Sequence, residues 1–328
     1  MRSAFYNGLV MPTILILCGV ALVAIMGYAL QRGATCTVAA IDEILSNGRA
    51  SRLLALLEAS LWVLGGVLIG NALGLMPPMP AGYAITMWTV LGAAVLGLGA
   101  AVNGACVFGA VAQFGSGNWV YLATPVGFFI GSALGQASSA QMLPQKLADS
   151  SWAFQTSPWL AFVVALVMLW RLLTSLWQIR PDAQSRTQAL ISQVWQPHAA
   201  TQVIAITFLF MLWLFGAWAY TDVLAEWARG QFANTGVRGL LLVALWAGAA
   251  LGGWTAGRFR SQRADVKGVS RCLLGGALMG AGSELIPGSN DGLILTGIPL
   301  LWPHAWLAFA VMCATIAIYL KAVATRTT

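Results

Sequence analysis

Charged residues are scarce in this chain: they make up 8% of its 328 residues, against roughly 25% in soluble domains. A water-facing surface for a protein of this size needs far more polar cover, so lipid rather than water is expected as the main solvent. Histidine is almost missing. Only His198 and His304 occur, neither within an H-E-x-x-H pattern, and no G-x-x-x-x-G-K-[ST] phosphate loop is present. Hydrolytic zinc chemistry and ATP-driven motors therefore lack their carriers. Gly115-Ser116-Gly117 lacks the G-x-S-x-G spacing of a nucleophile elbow and reads as a turn. The cysteines, Cys18, Cys36, Cys106, Cys272 and Cys313, are far apart and include no C-x-x-C pair, which argues against a disulfide framework or a zinc knuckle. No cofactor or metal is implied. No base stands out to activate Cys106, so an enzyme is not expected. The formal charge of +7 is scattered between apolar runs rather than gathered on one face, so nucleic acid is not an expected partner.

Apolar residues fill the space the charges leave, at 59% of the chain. Runs of around 20 apolar residues suffice to cross a hydrocarbon core of roughly 30 Å. About nine are predicted: Leu9 to Leu30, Leu53 to Leu75, Tyr83 to Val102, Trp119 to Ala137, Ser157 to Ile179, Thr201 to Tyr220, Val237 to Ala256, Cys272 to Ile286 and Pro303 to Val323. The first run is not followed by an A-x-A-type cleavage site and is read as a retained span. With the N-terminus outside, 13 Lys and Arg residues fall in cytoplasmic segments and only Arg2, Lys146, Arg229 and Arg238 fall outside. Positive loops stay in the cytoplasm, so the C-terminus is expected there. Trp119, Trp152, Trp159, Trp302 and Trp306 lie near predicted span ends, where indoles favour the interface. Glycines at every fourth position, such as Gly127, Gly131 and Gly135 or Gly248 and Gly252, are read as close helix contacts.

Sliding the chain on itself by 183 residues pairs Gly92 with Gly275, Gly97 with Gly280, Gly99 with Gly282 and Gly109 with Gly292, and brings Cys106 onto Ser289. The predicted topology runs these two copies in opposite directions, which is the inverted symmetry of many secondary transporters. Each copy also interrupts its own helix. One break is Asn103-Gly104-Ala105-Cys106 and the other runs from Ile286 through Pro287, Gly288, Ser289 and Asn290 to Asp291 and Gly292. Irregular backbone at membrane depth is tolerated only where protein or a water-filled path satisfies the freed groups. Half-helices starting near Cys106 and Ser289 would aim unpaired N–H groups at that path, and an anion suits them. Glu284 and Asp291 flank the second break, and intramembrane carboxylates are functional candidates, here for coupling or gating. A carboxylate repels a passing anion unless neutralised, so any uptake is expected to depend on external pH.

The segments LGAAVLGLGAAVNGACVFG and GGALMGAGSELIPGSNDG, with the early RGATC stretch, resemble the YeeE/YedE family of sulfur-compound transporters. The resemblance covers most of the chain. It implies an all-α integral membrane protein of the bacterial inner membrane, with hourglass-like inverted repeats that take up thiosulfate past three cysteines on central loops. Cys36 matches the first of these and Cys106 the second, while Ser289 stands at the third, followed by the matching Asn290. A hydroxyl there differs from a thiol in size, polarisability and donor strength. Glu284 stands near a position where the family pattern has a basic residue. The expected organisation is a single transmembrane domain, with a first repeat over 1–156, a connecting helix and cytoplasmic loop over 157–200, and a second repeat over 201–328. The resemblance also implies a cytoplasmic thiol carrier that accepts imported sulfur. The alternative reading is a non-conducting sensor or scaffold that binds a sulfur compound and signals through the basic loop between Gly257 and Arg271.

Overall fold

The computed structural model describes residues 13–139, 145–147, 151–178, 195–232 and 235–327. The predicted ends at Leu9 and Ile179, and Arg2, Arg180 and Arg186 of the charge comparison, lie outside the described residues. Helix is the only repeating element among the described residues. The chain forms α1 (Thr13–Arg32), α2 (Thr37–Asn47), α3 (Ser51–Ala72), α4 (Met87–Asn103), α5 (Val107–Gly115), α6 (Ala123–Ser139) and α7 (Pro158–Gln178). After the connecting segment come α8 (Pro197–Phe215), α9 (Tyr220–Ala228), α10 (Thr235–Thr255), α11 (Val266–Leu285), α12 (Asn290–Gly292) and α13 (Pro303–Thr327). A π-helical turn, Leu293–Gly297, continues α12.

Local chemistry sets these boundaries. Thr86 and Thr89 close a reciprocal capping box at the start of α4, satisfying donors that the first turn leaves free. Asp265 caps α11 by accepting from the Gly268 N–H at 3.2 Å. Pro158, Pro197 and Pro303 stand in the first turns of α7, α8 and α13, where the missing N–H costs nothing.

Among the described residues, six helical stretches are long and apolar enough to cross a bilayer. They are α1 with α2, α3, α4 with α5, α8, α10 and α13. The remaining predicted spans fall on α6, α7 and α11, which are helical but short of that measure. α6 has 17 residues, the part of α7 whose side chains are described is the shorter apolar stretch Trp159–Thr174, and α11 carries Lys267, Arg271, Glu284 and several glycines. The predicted span Thr201 to Tyr220 is two elements, because α8 ends at Phe215 and a new helix starts at Tyr220.

Ile14, Leu61, Leu134, Trp170, Val243 and Ile318 are among many large apolar side chains on the outside. A monomer in water rarely shows so much contiguous apolar surface. Inside, α11 packs between α4 and α6, while α1 packs against α8 and α10. The glycine stripes make those contacts. A Cβ at Gly131 would stand 1.9 Å from the Ala277 carbonyl oxygen, and one at Gly248 would stand 2.0 Å from that of Ala24. Such backbone approach supplies the van der Waals contact that holds helices together in lipid. α7 is tied in by charge. The Glu58 carboxylate of α3 accepts from Arg171 Nε at 3.2 Å and Gln202 Nε2 at 3.1 Å and meets His198 Nδ1 at 2.5 Å.

Candidate functional site

Four helix breaks meet inside the bundle. In each, a longer helix stops and a short one starts a few residues later. α1 stops at Arg32, Ala34 takes a left-handed φ of 46°, and Cys36 is the N-cap of α2. α4 stops at Asn103, Gly104 turns the chain at φ 76°, and Cys106 is the N-cap of α5. Gly216, at φ 93°, separates α8 from α9. Pro287 and Gly288, the latter at φ 144°, lead to Ser289, the N-cap of α12. At Gly104, Gly216 and Gly288 the missing side chain lets the backbone take these positive φ values without a Cβ clash.

Specific bonds hold the breaks in place. Asn103 donates from Nδ2 to the Ala105 carbonyl at 2.7 Å and accepts from Thr124 Oγ1 at 3.0 Å. The loop that presents Cys106 is thereby fixed by α6. The Thr37 N–H donates to the Cys106 sulfur at 3.2 Å. Cys36 is brought beside it: a Cβ at Gly109, one turn past Cys106, would stand 2.5 Å from the Cys36 sulfur. Cys36 therefore sits at an internal break against a second thiol. The Tyr220 hydroxyl donates to the Val107 carbonyl at 2.9 Å, linking the third break to the second. Thr221 Oγ1 donates to the Asp291 carboxylate, at 2.7 and 2.8 Å to its two oxygens, linking the third to the fourth. α12 also touches α5, and Ser60 of α3 donates to the Ile294 carbonyl at 2.6 Å.

The seam is polar and only partly satisfied. The Thr37 and Ser289 side chains face Cys106 and Asp291, while the hydroxyl of Thr35 and both amide atoms of Asn290 are buried without a hydrogen-bond partner among the described residues. A buried polar group left so costs about 1 to 3 kcal/mol. These groups lie at the breaks, as part of a wider set of buried, unpartnered polar atoms in the described residues. Ala34 and Gly104 are exposed, and a Cβ at Gly288 or Gly292 would meet nothing within 4 Å.

The sequence-predicted residues divide accordingly. Cys36 and Cys106 come together, and Ser289, Asn290 and Asp291 form the facing break. Glu284 points elsewhere, packing against Gly135 of α6 and pairing with Arg229 at 3.0 and 3.2 Å. The break at Gly216, with Tyr220 and Thr221, was not read from the sequence. A signal existed: Gly216-Ala217 lies 183 positions after Gly33-Ala34, the displacement that pairs the glycines of α4 and α11.

A family model described as sulphur transport matches residues 32–318, a stretch that contains all four breaks. The chain belongs to the sulphur-transport family. It is a multi-pass membrane protein of a transporter family, not of an enzyme family. It is also similar to the thiosulfate transporter TsuA of Escherichia coli (strain K12), at 26% identity over 335 aligned positions that cover 91% of this chain and 92% of that protein.

Proposed function

We propose that this member of the family carries thiosulfate, or a related small sulfur oxyanion, across the membrane through the seam of four breaks. The observation that carries the reading is the contact at its centre, where the Thr37 N–H meets the Cys106 sulfur beside the Cys36 thiol and the orphaned hydroxyl and amide groups. That contact uses the Cys106 sulfur as acceptor and holds it against the Cys36 thiol. A thiol is a weak donor and a soft neighbour for a terminal sulfur, so it replaces part of the hydration shell without trapping the ion. The N-termini of α2 and α5 add N–H donors and favourable dipole ends. Ser289 and Asn290 then supply the hydroxyl and amide contacts of the next station. The similarity to a thiosulfate transporter supports the choice of anion.

The same reading includes nine crossings and an inverted repeat, with 1–156 and 201–328 as the two copies and 157–200 between them. Helix bounds support it: α1 with α2 corresponds to α8 with α9, and α4 with α5 to α11 with α12, at offsets near 183. The N-terminus is placed outside the inner membrane and the C-terminus in the cytoplasm, where a thiol carrier would accept the sulfur. Asp291, held by Thr221, is the proposed gating carboxylate. Glu284, in its ion pair with Arg229, braces α9 against α11 beside it.

Purified protein in sealed liposomes is expected to take up radiolabelled thiosulfate ahead of sulfate and chloride, with sulfite as the informative fourth anion. Cys106→Ala is expected to lose about tenfold or more of that uptake, since conduction needs each successive site. Full uptake by a folded Cys106→Ala protein would defeat the proposed path. Saturable binding without flux in the wild-type protein would favour the sensor or scaffold reading.

A further inference from the structure

On the side that carries the basic loop, a recess of about 290 Å³ is lined by Asn118, Gln262, Arg263, Asp265, Lys267 and Arg271, among others. It is a built feature. The loop after α10 is pinned to the turn after α5 by Arg260 N–H to the Ser116 carbonyl at 3.0 Å and Gln262 N–H to the Gly117 carbonyl at 2.9 Å. Trp119 Nε1 donates to Ser261 Oγ at 2.9 Å. The recess has one carboxylate, Asp265, and that group is engaged as the cap of α11. Its three cations, Arg263, Lys267 and Arg271, form no ion pair among the described residues.

Arg271 joins this recess to the seam. Its guanidinium carbon and one terminal nitrogen lie 3.7 Å from a Cβ position at Gly104, and the Tyr121 hydroxyl lies 3.5 Å from the same point. Gly104 is exposed and stands two residues before the buried Cys106. A side chain at Gly104 would intrude between the arginine and the break. An anion leaving weak thiol donors needs a next site strong enough to draw it on, and shallow enough to release it. A solvent-facing guanidinium with two further cations on the rim meets both needs. Three positive charges around one recess also favour a divalent anion over a monovalent one.

We propose that Arg271, with Tyr121 beside it and Arg263 and Lys267 on the rim, is the anion-receiving and charge-selecting site on the basic side of Cys106, for a divalent sulfur oxyanion. The site is argued from its own geometry, and its place in transport rests on the thiosulfate reading above. A phosphate-bearing lipid headgroup shares part of this chemistry, so the test separates the two.

Retention of radiolabelled thiosulfate is measured on wild-type, Arg271→Gln and Arg271→Lys proteins in nanodiscs of purely zwitterionic lipid, alongside flux in liposomes. Arg271→Gln is expected to weaken retention about fivefold or more and to flatten its dependence on salt, as loss of one ion contact does. Arg271→Lys is expected to restore much of the retention, which a merely structural role would not predict. Excess sulfate is expected to compete far better than excess chloride. Wild-type flux with retention and flux unchanged in Arg271→Gln would overturn the site and leave the transport reading standing. Arginine-dependent retention without wild-type flux would leave the site standing and remove the transport reading. No saturable retention by the wild type would overturn the site, as would an Arg271→Gln effect confined to bound anionic lipid.

Discussion

The two central thiols depend on a missing side chain. Gly109 lies where a Cβ would press to within 2.5 Å of the Cys36 sulfur and 2.9 Å of its Cβ. In most helices Gly→Ala is mildly stabilising, so here packing and propensity pull in opposite directions. Gly109→Ala is expected to keep the fold, read as an unchanged elution profile, while displacing Cys36 and cutting thiosulfate uptake by about tenfold. Asp291 gives the second test at this scale. Its carboxylate lies beside Ser289 and Asn290 and is buried, bonded to Thr221 and to the Gly292 N–H. Charged, it repels an approaching anion; protonated, it does not. Uptake is therefore expected to fall as external pH rises, and Asp291→Asn is expected to remove that fall by fixing the neutral form. A wild-type profile that is flat from acid to alkaline pH would count against Asp291 as the gate. Cys106, Ser289 and Asn290 were legible as candidates because each belongs to a local helix-breaking motif, whereas Cys36 was marked only by the family resemblance. The Thr221 partner of Asp291, 70 positions away, has no local mark, and neither does the Arg229 partner of Glu284.

Helices in this bundle are held by backbone contact more than by side-chain bulk. Gly131→Val would drive two methyl groups into the Ala277 backbone, which already lies 1.9 Å from the Cβ position. Overpacking of this kind costs about 1 to 3 kcal/mol or more, so a lowered thermal midpoint in detergent is expected, with a smaller effect from a like change at Gly236, where a Cβ meets nothing within 4 Å. The Arg229 and Glu284 pair joins α9 to α11 with side chains 34% and 8% exposed. Such a partly buried pair is expected to contribute about 0.5 to 1 kcal/mol in a double-mutant cycle of Arg229→Ala and Glu284→Gln. Breaks with glycine and proline together, or with asparagine and glycine, were visible in sequence. The break at Gly216 was not, since a single glycine between phenylalanine and alanine is ordinary inside membrane helices. It becomes a break because Tyr220 and Thr221 find partners on α5 and α12.

At the scale of the whole molecule, charge placement is the testable feature. A reporter active only in the cytoplasm is expected to work when fused after Thr328 and to fail when fused at the N-terminus. The reverse pattern would overturn the orientation. Composition alone determined that this chain belongs in lipid, because apolar helices without polar cover have no other stable solvent. Glycine spacing and the 183-residue displacement determined where the second and fourth breaks fall and which residues cap them. Those are local properties of a backbone that must satisfy its own hydrogen bonds. What only the tertiary structure decided is company: Cys36 against Cys106, Thr221 on Asp291, Arg229 on Glu284, and Arg271 beside Gly104. Such pairings depend on how far distant helices slide and rotate when their glycines lock together, and that geometry is set by packing across the bundle rather than by any stretch of sequence.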